Sequence, residues 1–157
     1  MNNYLQLADT LSGKEGSCFL TENGKNRELF EIISIKAEIN YKKTAKQTLG
    51  NRQVQHKVVG MEGTGSLKGY FISSAHGQSA YEYLSNNKIA TTSIMIKNED
   101  SQSSIGSQTV VLHNVLFDAI TLASLDVESE DPIQFEANFT FDNFEVLEAF
   151  VTPVNYR

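Results

Sequence analysis

The sequence predicts a mainly antiparallel β fold, a sandwich or open barrel of about seven strands with one short α-helix. Three observations carry that prediction. In LFEIISIKAEINY, residues Ile33, Ile35, Ala37, Ile39 and Tyr41 are apolar while Ser34, Lys36, Glu38 and Asn40 are polar, the period-2 signature of a strand with one dry face. IQFEANFTF repeats the pattern, with Ile133, Phe135, Ala137, Phe139 and Phe141 set against Gln134, Glu136, Asn138 and Thr140. Short β-rich stretches separated by turn residues fill most of the remaining chain, and only SAYEYLSNN has the marks of a helix.

Taken in order, SCFLTE is the first strand, and TENGKNRE supplies a hairpin turn at Asn23-Gly24. LFEIISIKAEINY follows as an unusually long strand. The stretch from Tyr41 to Gly60, YKKTAKQTLGNRQVQHKVVG, has too few apolar residues to bury itself and is expected to project as a long basic hairpin or loop. GTGSLKGYFI is the next strand. In SAYEYLSNN, Ser79 and Glu82 match a capping box at the helix start, and Asn86-Asn87 mark its end. ATTSIMIK is a strand, and residues 98–108 are expected as a mobile polar loop. QTVVLHNVLF and AITLASLDVES are read as further strands, Pro132 closes a turn, and IQFEANFTF is the last strand before the tail of residues 151–157.

At 157 residues, with 40% hydrophobic and 10% aromatic side chains, the chain has the length and composition of a single domain over residues 1–157. No apolar run approaches 20 residues, and MNNYLQLADTLSGKEG lacks the pattern of a secretory leader, so a cytoplasmic, soluble product is expected. YLQLADTL reads as a docking segment or frayed end rather than a membrane anchor. Cys18 stands alone and His56, His76 and His113 have no metal-ligand spacing, so no disulfide, zinc site or cofactor is expected.

Catalytic and nucleotide-binding patterns fail on inspection. Gly60 and Gly65 have phosphate-loop spacing, but Ser66 stands where the lysine is required. A dinucleotide fingerprint begun at Gly63 meets Lys68 in place of a glycine; glycines inside a strand instead mark a bulge or a close backbone approach. His113 beside Asn114 lacks a nucleophile and an orienting acid at any telling spacing. Glu128, Glu130 and Asp131 lack the glycine and terminal glutamate of a calcium loop and read as a solvated acidic turn. Asn138-Phe139-Thr140 matches a glycosylation acceptor, but it falls inside a strand. The chain is read as non-enzymatic.

Charge is distributed unevenly around a net of −6. Lys42, Lys43, Lys46, Arg52 and Lys57 occupy a stretch with no carboxylate, whereas from Asn98 to Tyr156 there are acids but no lysine or arginine. Three readings fit the basic segment. It neutralises nucleic-acid phosphates, although the interleaved aromatics of a single-strand binder are missing. It meets the acidic surface of another copy, through Glu128, Glu130, Asp131, Glu145 and Glu148, in a head-to-tail contact. Or it is a solvated loop with no partner.

SGKEGSCFL, VVGMEGTGSLKGYF, FDAITLASLDVESE and FTFDNFEVLEAF resemble the tail tube proteins of contractile phage tails, in the branch found in PBSX-like defective prophages and R-type (diffocin-like) bacteriocins. The resemblance spans Ser12 to Phe150. It implies hexameric rings stacked into a hollow tube, with strands from each subunit joined in a continuous barrel and a helix outside. It places barrel strands near 30–41, 60–71, 119–128 and 133–141, with Lys36, Glu38, Glu136, Asn138 and Thr140 as channel-facing candidates. The 41–60 projection is then an inter-ring contact. Implied partners are other copies of the chain, a contractile sheath, and tape-measure, baseplate-initiator and terminator proteins, with DNA only as passing cargo. Assembly is expected in the bacterial cytoplasm, ahead of release as a virion tail or an extracellular particle. The competing reading is a small monomeric β-barrel that acts as a binding module or an enzyme.

Overall fold

Alternating apolar and polar residues become strands here because two sheets bury their dry faces against each other. The structure, a computed structural model, describes residues 6–22, 24–29, 32–72, 75–87 and 92–152. Strands β1 (Gly16–Glu22), β2 (Lys25–Glu28), β5 (Thr92–Glu99), β6 (Ser107–His113) and β9 (Asn143–Glu148) form one sheet, in the order β2-β1-β5-β6-β9. Strands β3 (Ile32–Lys46), β4 (Gln55–Tyr70), β7 (Leu116–Phe117) and β8 (Gln134–Phe141) form the other, in the order β3-β4-β8-β7. Every pairing is antiparallel. The core between the sheets comprises Cys18, Leu20, Leu29, Leu67, Ile94, Leu112, Val115, Ala137, Phe139 and Phe141.

Central strand β4 carries glycines on either side of Leu67 along its inner face, and β8 supplies the missing volume opposite them. Their register sets Gly63 opposite Phe141, Gly65 opposite Phe139, Leu67 opposite Ala137 and Gly69 opposite Phe135. Small therefore faces large in each pair. A Cβ on Gly65 would run into the Phe139 ring and come 2.6 Å from the Lys36 carbonyl oxygen, while one on Gly63 would strike the Phe141 ring. The close backbone approach expected of these glycines is thus a seat for two phenylalanine rings. Phe117 closes the row edge-on to Phe139, with ring centroids 6.0 Å apart.

Both sheets share one corner. Asn114, at φ 54°, turns the chain from β6 in the first sheet to β7 in the second, so QTVVLHNVLF is two strands rather than one. β8 and β9 make the reverse crossing at Asp142, whose N–H donates to the His113 carbonyl at 3.2 Å.

Other expectations change in detail. Residues 119–128, expected as a barrel strand, form none: the chain leaves β7 and runs irregularly to β8. Residues 143–148, unassigned from sequence, form the edge strand β9. Helix α1 spans Ala75–Asn86, so Ser79 lies inside it rather than at its start. Its end is as expected, with Asn87 at φ 57° and its N–H donating to the Tyr83 carbonyl at 2.9 Å. In the first hairpin Glu22 pairs with Lys25 and Gly24 has φ 79°, while Asn23 lies outside the described residues.

The 98–108 segment, expected as a mobile loop, carries several tethers. Asp100 is buried, and its carboxylate accepts from the Ser12 N–H at 2.7 Å and the Gln102 N–H at 3.0 Å. Glu15 accepts from both the N–H and the hydroxyl of Ser101, and the Val151 N–H donates to the Ile105 carbonyl.

Replacing Gly65 with Ala should destabilise the chain by about 1–3 kcal/mol through overpacking against Phe139. Pairing it with Phe139→Ala tests the mechanism. That variant alone should cost about 3–5 kcal/mol, and the double variant should be more stable than the sum of the two losses requires, as measured by denaturant unfolding.

Candidate functional site

The second sheet has a polar side facing away from the core, and this is where the channel-facing candidates meet. Directly paired residues project to the same side of a sheet, so the register reads out whole rows. Ser34, Lys68 and Glu136 form one row; Lys36, Ser66 and Asn138 the next; Glu38, Thr64 and Thr140 the third, extended by Leu116 of β7. Asn40 and Glu62 pair beyond them, and the Asn40 amide donates to the Thr64 hydroxyl at 2.8 Å. All five sequence candidates, Lys36, Glu38, Glu136, Asn138 and Thr140, stand on this face. Sequence reading missed the β4 members Glu62, Thr64, Ser66 and Lys68, because the glycines alternating with them conceal the apolar half of the pattern.

Charge on the face is mixed. Lys36 and Lys68 stand among Glu38, Glu62 and Glu136, and Lys36 Nζ lies 3.7 Å from Glu38 Oε2 with both side chains well exposed. Such a pair is screened by water and salt and does little for stability. Its effect is local neutralisation, leaving a wettable surface without a continuous block of either sign.

Beyond the end of β8, β3 and β4 continue as a ribbon of two strands. β8 stops opposite Gly63, whereas β4 begins at Gln55 and pairs with β3 out to Lys46. At 3.3 Å per residue the overhang is about 25 Å. The expected projection therefore exists, but as a paired hairpin whose open turn is confined to residues 47–54. That turn is organised by Gly50 at φ 82°, by the Asn51 N–H donating to the Thr48 carbonyl, and by the Gln53 N–H donating to the Asn51 side chain. Leu49 is fully exposed at its tip.

A bulge sorts the ribbon's side chains. Lys42 pairs with Gly60 but Lys43 pairs with Val58, leaving Val59 as the extra residue. After this shift Lys42, Lys46 and Lys57 share the side that carries Lys36 and Glu38 on the body of the sheet. Tyr41, Met61 and Val58 share the other with Lys43. Tyr41, Val58, Val59 and Met61 are all exposed, so the ribbon offers apolar area as well as charge. Arg52 stands apart, in the turn.

The acidic candidates fall into two groups. The Asp118 N–H bonds the Asn138 carbonyl, and the Ile133 carbonyl accepts from the Phe71 N–H. Asp126, Glu128, Glu130 and Asp131 therefore lie on an excursion that leaves the sheet at Asp118 and rejoins it near Phe71. That is the end of the sheet opposite the hairpin, since Gly69 pairs with Ile32 and Gln55 with Lys46. Local bonds shape the excursion: the Glu128 N–H donates to Asp126, and the Asp131 N–H to Ser129. Glu145 and Glu148 stand instead on β9, at the edge of the other sheet, with Glu145 Oε1 3.7 Å from His113 Nε2.

Among the described residues no cluster of His, Cys, Asp and Glu can hold a metal ion, and no helix is long and apolar enough to cross a membrane. A small cavity lies between the sheets, lined by Leu20, Leu67, Phe117, Ile120 and Phe135 among others, and offers no catalytic side chain.

Known proteins agree with an assembly role. Residues 3–148 match a family model described as phage tail tube protein. The chain is 32% identical over 144 residues to the phage-like element PBSX protein XkdM of Bacillus subtilis, covering 92% of this chain and 95% of that protein. Its fold is similar to a chain in the anti-feeding prophage baseplate, with a TM-score of 0.65 at 10% identity over 88% of this chain and 95% of that one. A chain of the extended sheath–tube complex of the PVC extracellular contractile injection system gives a TM-score of 0.58 at 14% identity, over 84% and 88% of the two chains. By a family match that runs almost end to end, on a two-sheet fold that these tail structures share, the chain belongs to the phage tail tube protein family.

Proposed function

We propose that copies of this chain form hexameric rings that stack into the hollow inner tube of a contractile tail, with the polar face of β3, β4 and β8 lining the channel. The observation that carries this reading is that face itself. A four-stranded sheet with one side sealed by the core and the other side polar across β3, β4 and β8, with Leu116 of β7 at its margin, suits a channel wall, because it meets water without exposing the apolar layer. On the body of the sheet Glu38, Glu62 and Glu136 are interspersed with Lys36 and Lys68, so there the wall offers a passing polyanion no continuous basic track.

Stacking follows from the ends of the sheet. The hairpin carrying Lys42, Lys43, Lys46, Arg52 and Lys57 overhangs one end, and Glu128, Glu130 and Asp131 lie at the other, so a ring set on top of an identical ring brings opposite charges together. Exposed ion pairs contribute about 0.2–1 kcal/mol each, which orients a contact more than it holds one. Tyr41, Val58, Val59 and Met61 add apolar burial, and repetition around a ring turns modest contacts into a firm stack. Glu145 and Glu148, on the other sheet, take part from the outer side. The role is structural rather than enzymatic. A contractile sheath around the tube, and tape-measure, baseplate-initiator and terminator proteins at its ends, complete the proposed assembly, with DNA as cargo only in a particle that has a genome. Subunits assemble in the bacterial cytoplasm and leave it within the finished particle.

Negative-stain microscopy of the concentrated protein should show hollow rings or tubes of uniform width. A chain that stays monomeric at every concentration and salt, and joins no tail in cells, would instead be the monomeric binding module or enzyme.

Changing Lys42, Lys43 and Lys46 together to Glu should abolish stacking while leaving circular dichroism and thermal melting of the monomer unchanged, and Glu128, Glu130 and Asp131 changed to Lys on the same chain should restore it in part. Loss of the monomer fold in the first variant would show that the ribbon belongs to the core.

Raising ionic strength from about 0.1 to 1 M shortens the screening length from about 10 to 3 Å. Stacks should therefore shorten in high salt, measured by light scattering, while rings persist.

A further inference from the structure

The bases that crowd together in the sequence between Tyr41 and Gly60 are divided by strand pairing. On the side of the ribbon that continues the polar face stand Lys42 opposite Gly60, Thr44 opposite Lys57, and Lys46 opposite Gln55. Lys43 is on the other side with Tyr41, Val58 and Met61, and Arg52 is in the turn. Without Val59 as an extra residue, Lys57 would pair with Ala45 and fall on that other side too. The polar-side lysines form a compact array. Lys42 and Lys46 are about 13 Å apart along β3, and Lys57 is level with the midpoint between them, about 5 Å away on the neighbouring strand. All three are exposed, and none has a carboxylate partner among the described residues. No acid lies between Glu38 and Glu62 in the sequence, so nothing on the overhang offsets the charge. The acids of the excursion are at the far end of the sheet, about 30 Å away, which is about three screening lengths at 0.1 M salt.

We propose that this side of the ribbon binds the phosphate backbone of a nucleic-acid duplex, without regard to base sequence. The site belongs to one side of one chain, and it stands or falls apart from the tube reading. Three features of the surface select the ligand. Lysine is a compact point charge suited to phosphate, whereas forked recognition of carboxylates favours arginine, and Arg52 is off this side. Lys42, Gly60, Thr44, Lys57, Lys46 and Gln55 include no apolar side chain, so a protein partner has no apolar core of an interface to form there. No aromatic ring stands among the lysines either, since Tyr41 and His56 are on the opposite side. Base stacking, the main hold on a single strand, is therefore missing. A duplex needs none, because its phosphates are already on its outside, and the Thr44 hydroxyl and Gln55 amide add neutral donors for them. Each lysine that neutralises a phosphate adds about 0.9 to the slope of log affinity against log salt, so contact by all three gives a slope of about −2.7.

Fluorescence anisotropy of a labelled DNA duplex of random sequence tests this, with the intact chain titrated in at concentrations where light scattering shows monomers. Binding should saturate, and it should weaken between about 0.05 and 0.2 M salt with the slope given above. Lys42→Gln, Lys46→Gln and Lys57→Gln together should lower the affinity by about tenfold or more, whereas Lys43→Gln should change it by less than about threefold. Lys57→Gln alone should reduce the slope by about 0.9, and this single exposed change decides the matter if the triple variant fails to fold. Absence of binding by the unaltered chain at the lower salt would overturn the proposal, as would equal losses from Lys43→Gln and from the polar-side variants. Poly-glutamate that displaces the duplex at equal charge would show a site for acidic protein and would overturn it as well. Ring and tube formation, scored separately by microscopy, bears on the tube reading alone.

Discussion

Everything that this chain presents to a partner depends on the seating of phenylalanine rings over glycines between β8 and β4. The Phe139 and Phe141 rings lie across a strand stripped of side chains at Gly65 and Gly63, so one sheet can supply half of a core while its central strand stays slim. That arrangement commits the large apolar groups of β8 to one side only. The reverse side is left to Lys36, Glu38, Thr64, Ser66, Asn138 and Thr140, and becomes a continuous polar surface. Were the bulk shared evenly between the two strands, a single misaligned register would place apolar groups on both sides. Size complementarity therefore fixes the register, and the register fixes which residues meet water.

Topology then separates the charges. A chain of net −6 gains nothing in stability by gathering five bases on a ribbon that is attached at only one end. Because β3 and β4 overrun β8 at one end and the excursion between β7 and β8 leaves the sheet at the other, the bases and a cluster of acids are held apart within each copy. They cannot neutralise each other internally. Both groups stay exposed to solvent, and the fold acquires a direction along its strands.

Much of this was legible in the sequence, and the failures are physical ones. β3 and β8 were read from alternation because each has one dry face in the isolated chain. β4 was less clear, since its dry face is made of glycines and the burial pattern resides in the partner's rings. β9 was left unassigned, since Phe144 and Val146 are set among acids; the backbone of β6 holds it in place rather than burial of its own side chains. Residues 119–128 failed in the opposite way. Their alternation was real, but among the described residues they pair with no strand. The helix start was misjudged because Ser79 and Glu82 satisfy a capping rule at a place where the helix is already under way. The polar face was legible from β3 and β8, whereas the bulge at Val59, which brings Lys57 to the side of Lys42 and Lys46, depends on pairing and could not be read from one strand.

The overhang of the β3–β4 ribbon has a mechanical side. Flat discs piled face to face part under bending, because each joint opens in tension at its outer rim. A disc with fingers reaching past its own face makes a joint that overlaps, as staggered courses do in brickwork, and the load at the joint is taken as shear along the fingers. In the tube proposed above, a column jointed in this way would transmit a push from one end as a rod does.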